Sequence, residues 1–486
     1  MIKKITNKWK NIPLTLKVTV AYAVCSILQK CLSFITLPLF TRILTKEQYG
    51  QYTIYSSWSG IFSILLTLNL AYGSFSTAMV KFEKKRDEYI SSMQGICLLL
   101  SGVFLLIYLP FREFFNKWLE LPTFLVILLA VEILCTTAFL FWSGKKRFEF
   151  KYRSVVLLTL LNSFVSPIVA VCFVTISKEK GYARIFGYAI TTIVISGCIF
   201  VLNCLRGKKL FIREFWKYAL GFNIPLVAYY FSQVIFNQSD RIMISHMCGI
   251  DKAAMYGVAY NLATILTFVL NAINNTYVPW LYNKIKENKT SDNRNVASGI
   301  ALLMAVLLVG VIWFAPEIIR IMAGKGYGEA KWVVAPVAMS LLLLFYSQLF
   351  INVEFYYEEK KSLVYASIGS MIVNVVLNYL LIPRFGFVVA GYTTWISYIL
   401  FAFSNYIAMK KIFIKKGIQN DLYNYKTLIT IIILFSLLGF LGVSIYDYLI
   451  IRIAIVCVGI VVLILNTKKI MGIVSSFRKT NYEKQD

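Results

Sequence analysis

The sequence predicts an all-α polytopic membrane protein with about 14 transmembrane helices. Of its 486 residues, 58% are hydrophobic and only 15% are charged, whereas the surface of a soluble protein of this size needs far more charge. Solidly apolar runs of about 20 residues, the length that spans a bilayer, recur along the whole chain. A β-barrel would instead show strands of alternating polar and apolar residues.

Fourteen apolar runs are bounded by loop signals and are predicted to span the membrane. They cover residues 16–40, 51–79, 89–109, 119–141, 154–176, 184–204, 217–247, 253–280, 295–316, 331–356, 362–382, 387–409, 426–445 and 448–466. The connecting loops are short, so function is expected to reside among the helices. The basic N-terminal segment lacks a short apolar core with a cleavage site, so no cleaved signal peptide is expected.

The net charge of +27 is explained by membrane orientation rather than by a nucleic-acid partner. Most Lys and Arg residues fall in loops on one side, including KFEKKRDE, GKKRFEFKYR and RGKKLFIREFWK. Cytoplasmic loops carry such an excess of basic residues. Both termini are therefore predicted to be cytoplasmic, as an even number of spans also requires.

An internal repeat divides the chain. Tyr49-Gly50 corresponds to Tyr256-Gly257, Ser154 to Ser362, and Gly187-Tyr188 to Gly391-Tyr392, at a nearly constant spacing. Self-similarity at a fixed spacing indicates duplicated structural units. The predicted organisation is an N-lobe (1–210) and a C-lobe (211–420) of six helices each, followed by two helices and a cytoplasmic tail (421–486). Repeats of six spans share one orientation and are related by a pseudo-two-fold axis along the membrane normal.

The seventh span carries polar residues along one side. They are Asn223, Tyr230, Gln233, Asn237, Asp240 and Arg241, within the segment from Gly221 to His246. Steps of three, four or seven residues place them on one helix face. The repeat predicts an equivalent stripe in the first span, where Thr19, Tyr22, Ser26, Lys30 and Ser33 have the same kind of spacing. Two such stripes would line a cleft between the lobes, where transporters place substrate.

Charged residues within these spans are the strongest candidate sites. A lone Lys30 near the middle of a span costs about 2.5 to 3.5 kcal/mol on insertion scales, so it is expected to bind a phosphate or an acidic sugar, or else to form a structural ion pair. Arg241 is a candidate phosphate ligand, although with Asp240 it could form a self-neutralising pair or a gate. Glu132 is the most isolated buried acid, suited to proton coupling or to a hydrogen bond with a neighbouring helix.

Polar residues of the eighth span complete the candidate set. Asn271, Asn274 and Asn275 share one face and could donate to sugar hydroxyls, while amide bonding between helices explains them equally well. We expect Ser26, Ser33, Gln233, Asn237 and Asn274 to contact substrate beside Lys30 and Arg241. Asp240 and Glu132 are the candidates for gating or coupling.

The sequence lacks the residue patterns that catalysis or metal binding would require. The nine Cys residues are scattered without metal-ligand or redox spacing, which favours a role as small apolar fillers. His246 is the only His, so a His-based metal site or catalytic triad is not expected. No phosphate-binding loop or dinucleotide fingerprint occurs. The sequence therefore predicts no enzyme, no metal and no cofactor.

Two segments resemble a known family. LPLFTRILTKEQYGQY and SDRIMISHMCGIDKAAMYGVAYNL are similar to polysaccharide transporters of the multidrug/oligosaccharidyl-lipid/polysaccharide exporter superfamily, which is MATE-like in fold. The resemblance covers residues from about 10 to 420. It implies a flippase of the bacterial cytoplasmic (inner) membrane that moves an oligosaccharide on undecaprenyl pyrophosphate, a capsule or O-antigen repeat unit, to the outer leaflet by alternating access.

The same resemblance implies the accessory features and the alternatives. The protein is expected to act as a monomer in the lipid bilayer, beside other polysaccharide-assembly membrane proteins, without ATP hydrolysis and with a proton or sodium gradient as the candidate energy source. Alternatives within the superfamily are a cation-coupled drug or metabolite exporter and a peptidoglycan lipid flippase. A membrane glycan polymerase is a less suitable alternative, because it would need a large outward loop that this chain lacks.

Overall fold

The computed structural model describes residues 14–287, 291–324, 326–359, 361–417 and 422–455, with only the backbone of residues 14–16 and 19. The described chain is helical, as predicted. The first helices are α1 (Leu14–Ile43), α2 (Lys46–Thr67), α3 (Phe75–Lys81), α4 (Arg86–Tyr108), α5 (Arg112–Leu119), α6 (Thr123–Phe148), α7 (Tyr152–Ile176), α8 (Lys180–Gly207) and α9 (Arg213–Cys248). The remaining helices are α10 (Ile250–Ala263), α11 (Thr267–Lys286), α12 (Ser291–Trp313), α13 (Ala315–Met322), α14 (Lys331–Tyr356), α15 (Lys361–Phe385), α16 (Val389–Lys415) and α17 (Tyr425–Ser444).

Eleven helical segments of the described chain are long and apolar enough to cross a membrane. The predicted span 51–79 is not one continuous helix, because α2 ends at Thr67 and α3 begins at Phe75. Leu68 and Asn69 between them have left-handed backbone angles (φ 47° and 53°), which an α-helix cannot continue through. The last predicted span, 448–466, is helical over 449–455, and its remainder lies outside the described residues.

Helix lengths in the two halves agree with the internal repeat. α4 and α12 each have 23 residues, and each is followed by a short helix of 8 residues, α5 or α13. α6 and α14 each have 26 residues, and α7 and α15 each have 25. α8 has 28 and α16 has 27. Five consecutive elements of the first half therefore recur in order in the second half.

The chain divides into two compact units, residues 1–254 and 255–486. In the first unit, α8 packs against α2, α4, α6 and α7, while α9 packs against α2 and α4. A core of buried aromatic and aliphatic residues that includes Phe75, Tyr89, Phe141 and Phe215 joins α3, α4, α6 and α9. This packing groups α9 with the first unit, whereas the repeat assigns residues 211–420 to the second lobe. That lobe boundary remains a prediction.

In the second unit, α14 is the central helix and is buried along most of its length. It packs against α12, α16 and α17. α17 lies close to α12, where the indole nitrogen of Trp313 donates to the Leu438 carbonyl at 2.9 Å. Gly442 makes this approach possible, because a Cβ there would lie 2.7 Å from the Trp313 ring. The thirteenth span therefore belongs structurally to the second unit.

Arg452 binds the helical segment 449–455 to the end of α12 and to α13. Its guanidinium binds both carboxylate oxygens of Glu317 at 2.7 Å and donates to the carbonyls of Trp313 and Tyr446. Arg452 is 1% exposed. The hydrogen bonds from Arg452 hold the pKa of the Glu317 carboxyl below its usual range.

Replacing Arg452 with Met is expected to destabilise the second unit by about 3 kcal/mol, because the partner carboxylate and two carbonyls lose their donor. The loss should be complete above the ordinary pKa of a glutamate and should shrink as the pH falls through the lowered pKa of Glu317. Thermal unfolding of the purified protein in detergent at several pH values measures both effects. Arg384→Met, at an exposed arginine, is the matched control, and equal midpoints for the two variants would refute this role.

Candidate functional site

Helix α9 lies antiparallel against α2, and three glycines allow the close approach of α9 and of the first residue of α10. A Cβ on Gly73, just after α2, would overlap the side chain of Asn223, and one on Gly50 would overlap the Ile250 carbonyl. Between them, a Cβ on Gly60 would lie 3.3 Å from the Gln238 side chain. Small residues allow this close packing where apolar burial gives no driving force between membrane helices. The polar side of α9 is thereby fixed against the first unit.

The structure separates the predicted stripe of α9 into two kinds of position. Asn223 is fully buried and donates to the Ser74 hydroxyl at 2.8 Å, so it holds α9 to the turn after α2. Gln233 and Asn237 are half-buried, and the amide of Asn237 donates to the Gln233 carbonyl at 2.7 Å. The middle of the stripe thus keeps partial access, while its first residue is structural.

Asp240 and Arg241 are both buried, at 1% and 8% exposure. The Arg241 guanidinium donates to Gln238 Oε1 at 2.7 Å, and Gln238 is the residue that contacts Gly60. Arg241 is therefore positioned by the same helix contact that fixes α9. Its predicted substrate role and the gating role of Asp240 remain predictions.

The stripe of α1 is open. Ser26, Lys30 and Ser33 are exposed, and Lys30 forms no ion pair with any described residue. The side chain of Thr19 lies outside the described residues, and Tyr22 lies under the Arg147 guanidinium at 5.0 Å. On a neighbouring face, Gln29 donates to Ser163 of α7 at 3.0 Å. α1 is thus held by one face and presents Lys30 on another.

Glu132 borders a polar cavity within the first unit. Its Oε2 accepts a hydrogen bond of 2.6 Å from the Tyr55 hydroxyl of α2, which is the interhelical bond foreseen as one interpretation. The cavity has a volume of about 290 Å³. Its polar lining consists of Ser59, Ser63, Thr67, Asn69, Tyr72, Glu132, Thr136 and Thr137. One carboxylate among hydroxyl and amide oxygens is a donor set suited to a proton or a hard monovalent cation.

The interruption between α2 and α3 supplies part of this cavity. Asn69 and Tyr72 line it from the non-helical segment 68–74. Non-helical backbone at membrane depth persists only where protein buries it or where it lines a cavity. Broken membrane helices of transporters commonly form ion or substrate sites in this way. The break therefore belongs to the candidate site and not to a loop.

Arg184, at the beginning of the predicted span 184–204, is a buried charge that was not among the candidate residues. It is 4% exposed, and its guanidinium carbon lies 4.3 Å, 4.5 Å and 3.8 Å from the ring centres of Phe40, Tyr49 and Tyr52. Tyr52 also interacts electrostatically with Glu132 and Arg241. The aromatic residues clustered around the first loop were the signal available in the sequence, since such rings stabilise buried cations.

The C-terminal end of α9 is bound to the corner between α5 and α6. Ser245 donates to one carboxylate oxygen of Glu120, and Nδ1 of His246 lies 3.3 Å from the other. The single histidine is therefore part of a tertiary contact. Among the described residues there is no group of three or more His, Cys, Asp or Glu side chains that could hold a metal ion.

In the second unit, the side-chain Oδ1 of Asn274 accepts a hydrogen bond of 3.0 Å from Nδ2 of Asn352 of α14. Asn274 is thus engaged in the interhelical amide bonding considered as the alternative to sugar binding. Asn271 and Asn275 are exposed on the same helix. A buried group that the sequence analysis missed joins α15 to α16, where Asn374 donates to Thr394 at 3.2 Å. The spacing of Asn374 and Asn378 by four residues was its only signal.

Solved membrane transporters share this fold. The structure matches "Lipid II flippase MurJ, inward closed conformation" with a TM-score of 0.65 and 14% identity, covering 90% of this chain and 100% of that one. An inward-facing multidrug resistance MATE family transporter of the MOP superfamily matches with a TM-score of 0.64 and 14% identity, covering 83% and 100%. The protein is therefore a polytopic membrane protein with a MATE-like fold.

Sequence comparison gives the family. The polysaccharide biosynthesis protein family model matches residues 15–284, more than half of the chain, and the protein belongs to this family. The MatE family model matches residues 225–380. A protein of the Lsg locus of Haemophilus influenzae is 22% identical over 377 residues, covering 74% of this chain and 89% of that relative. An uncharacterised membrane protein of the same organism is 21% identical over 359 residues, covering 72% and 86%.

Gly73→Ala is expected to destabilise the first unit by about 1 to 3 kcal/mol, because the added methyl group must displace Asn223 from Ser74. Gly221→Ala is the matched control on α9 itself, since a Cβ there meets open space. Thermal unfolding in detergent should show a lower midpoint for Gly73→Ala and an unchanged midpoint for Gly221→Ala. An unchanged Gly73→Ala protein would show that the close approach of α9 and α2 is not required.

Proposed function

We propose that this protein is a flippase for an oligosaccharide repeat unit linked to undecaprenyl pyrophosphate, acting in the bacterial cytoplasmic membrane. The repeat unit, for capsule or O-antigen, would move from the cytoplasmic to the outer leaflet by alternating access. Membership of the polysaccharide biosynthesis family supports a glycan substrate. The MATE-like fold supports transport and not catalysis, so we infer that the protein is not an enzyme.

Lys30 is the observation that carries the proposal. It lies in a membrane-spanning helix, is exposed and pairs with no acid among the described residues. A lysine at such depth is costly unless it faces water or an anion. A pyrophosphate supplies that anion, and ammonium–phosphate hydrogen bonds are strong because both partners are charged. Ser26 and Ser33, exposed on the same stripe, offer hydroxyls to the sugar.

Two alternatives use the same fold. A peptidoglycan lipid flippase would need the same cation, because its substrate also carries a polyprenyl pyrophosphate, and the family match favours the polysaccharide substrate over it. An exporter of cationic drugs would instead be served by acidic residues on the open stripe. The exposed charge on the α1 stripe is Lys30, which does not favour that exporter.

The cavity at Glu132 is the proposed coupling site. Its carboxylate already accepts one hydrogen bond from Tyr55, and hydroxyls of α2 and α6 surround the remaining space. A proton or a sodium ion entering from the membrane gradient would neutralise the carboxylate. Since Glu132 joins α2 to α6, its neutralisation would act directly on the helix that holds α9. The protein thus needs no bound cofactor in this proposal.

Lys30→Ala is expected to abolish surface polysaccharide in a strain that depends on this protein, because the pyrophosphate loses its partner. Lys30→Arg keeps the charge and should retain export. Arg241→Ala should also lose export, and immunoblots of membranes must show normal levels of all three proteins. Wild-type polysaccharide in the Lys30→Ala strain would overturn the proposed role of this cation.

Glu132→Gln is expected to leave the fold intact but to remove the response of transport to an imposed proton or sodium gradient. Tyr55→Phe keeps the carboxylate and should keep that response, with a changed dependence on ion concentration. Transport into proteoliposomes with and without each gradient provides the measurement. A Glu132→Gln protein that still responds to a gradient would leave Glu132 with a purely structural role.

A further inference from the structure

A cationic groove lies where the turn between α6 and α7 meets the beginning of α1. It has a volume of about 520 Å³. Its lining consists of Lys17, Phe150, Lys151, Tyr152, Arg153 and Ser154. Three of these six side chains are cations and none is an acid. A groove with this lining favours an anionic ligand.

Glu149, adjacent in sequence to this groove, is contacted by several lysines. Glu149 is bound by Lys145 at 3.4 Å and by Lys146 and Lys151 at 3.2 Å. Burial alone would raise the pKa of Glu149, but the hydrogen bonds and charges of these lysines lower it to about 2. Lys145 also binds Asp87 at 2.6 Å, so two carboxylates are shared among three lysines. Arg153 is exposed and forms no ion pair within the described chain, which leaves its guanidinium available.

The groove lies at one end of two exposed apolar strips. Along α1, steps of seven and four residues from Lys17 reach Val24, Leu28, Ile35 and Leu39, whose side chains are 49%, 39%, 65% and 38% exposed. Along α7, steps of three or four from Arg153 reach Leu157, Leu161, Phe164 and Ile168, at 61%, 42%, 46% and 62% exposure. Such steps keep each set on one helix face. α1 and α7 pack against each other, so the strips belong to neighbouring helices.

This face is not the one that carries the substrate stripe. Lys17 and Ser26 are nine residues apart, which is half a turn at about 100° per residue. The groove and its strip therefore lie on the opposite side of α1 from Ser26. Apolar residues exposed on a membrane-spanning helix contact lipid tails, and basic side chains at the helix end contact head groups.

We propose that this groove binds the phosphate of an anionic phospholipid in the leaflet that the distribution of basic residues makes cytoplasmic. Arg153, Lys17 and Lys151 contact the phosphate, and the two acyl chains lie along the strips of α1 and α7. Phe150, 47% exposed, adds an apolar contact beside the head group. A lipid-linked glycan presents a related phosphate group but one polyprenyl chain and a large polar head, which the apolar face of α1 does not suit.

The test uses purified full-length protein and native mass spectrometry. Retention of palmitoyl-oleoyl-phosphatidylglycerol is compared with that of the phosphatidylcholine of the same chains, and the wild type should retain the anionic lipid selectively. In the double variant Lys17→Gln, Arg153→Gln, its affinity should fall about thirtyfold, from about fivefold for each basic residue. Lys209→Gln, Arg213→Gln removes two exposed charges from the next loop of the same side and should leave retention unchanged.

Three results would overturn the proposal. Equal retention of both lipids would show that the groove does not select an anionic lipid. An equal loss of phosphatidylglycerol in the control variant would show that only the overall charge of the protein matters. Displacement of phosphatidylglycerol by an equimolar amount of undecaprenyl pyrophosphate would assign the groove to the substrate instead. The proposal does not depend on the flippase function, because a variant with normal lipid retention can still fail in export.

Discussion

The contact between α2 and α9 is the constraint on which the candidate site depends. Gly50 and Gly60 of α2 and Gly73 just after it carry no side chain, so that α9 and the first residue of α10 approach closely. Lipid tails are as apolar as the helix surfaces, so burying two apolar helices against each other gains little free energy. Close van der Waals packing and polar contacts supply the attraction instead. The hydrogen bond from Asn223 to Ser74 and the position of Gln238 beside Gly60 follow from this approach.

The charges of the first unit have two different environments as a result. Arg184 and Arg241 are buried among aromatic rings or amides, and Glu132 is bound to Tyr55 beside a polar cavity. Lys30, in contrast, is exposed on α1. Burying a charge without compensation is expensive, so the buried charges have fixed partners and the exposed one is available for a ligand. On this division we base the proposal that Lys30 binds the substrate and that Glu132 serves coupling.

Hydropathy and periodicity predicted the helical fold, because apolar length and the 3.6-residue turn are properties of local sequence. They did not predict the break at Leu68 and Asn69, since a left-handed leucine is imposed by tertiary packing and leaves no mark in composition. The 3.6-residue periodicity placed the polar residues of α9 on one face. The burial of Asn223, however, depends on Gly73, which is far away in sequence. Arg184 was missed for the same reason, because its three aromatic neighbours come from α1 and α2.

In the proposed mechanism, a cation on an open helix face binds a pyrophosphate-linked glycan that the protein moves across the membrane. Proteoliposomes containing the purified protein and a fluorescent undecaprenyl-pyrophosphate oligosaccharide test it directly, with an analogue whose head group is neutral as the comparison. The account predicts that the protein speeds the appearance of the pyrophosphate-linked glycan in the opposite leaflet and leaves the neutral analogue behind. Equal movement of both lipids, or of neither while a cationic drug is exported, would contradict it.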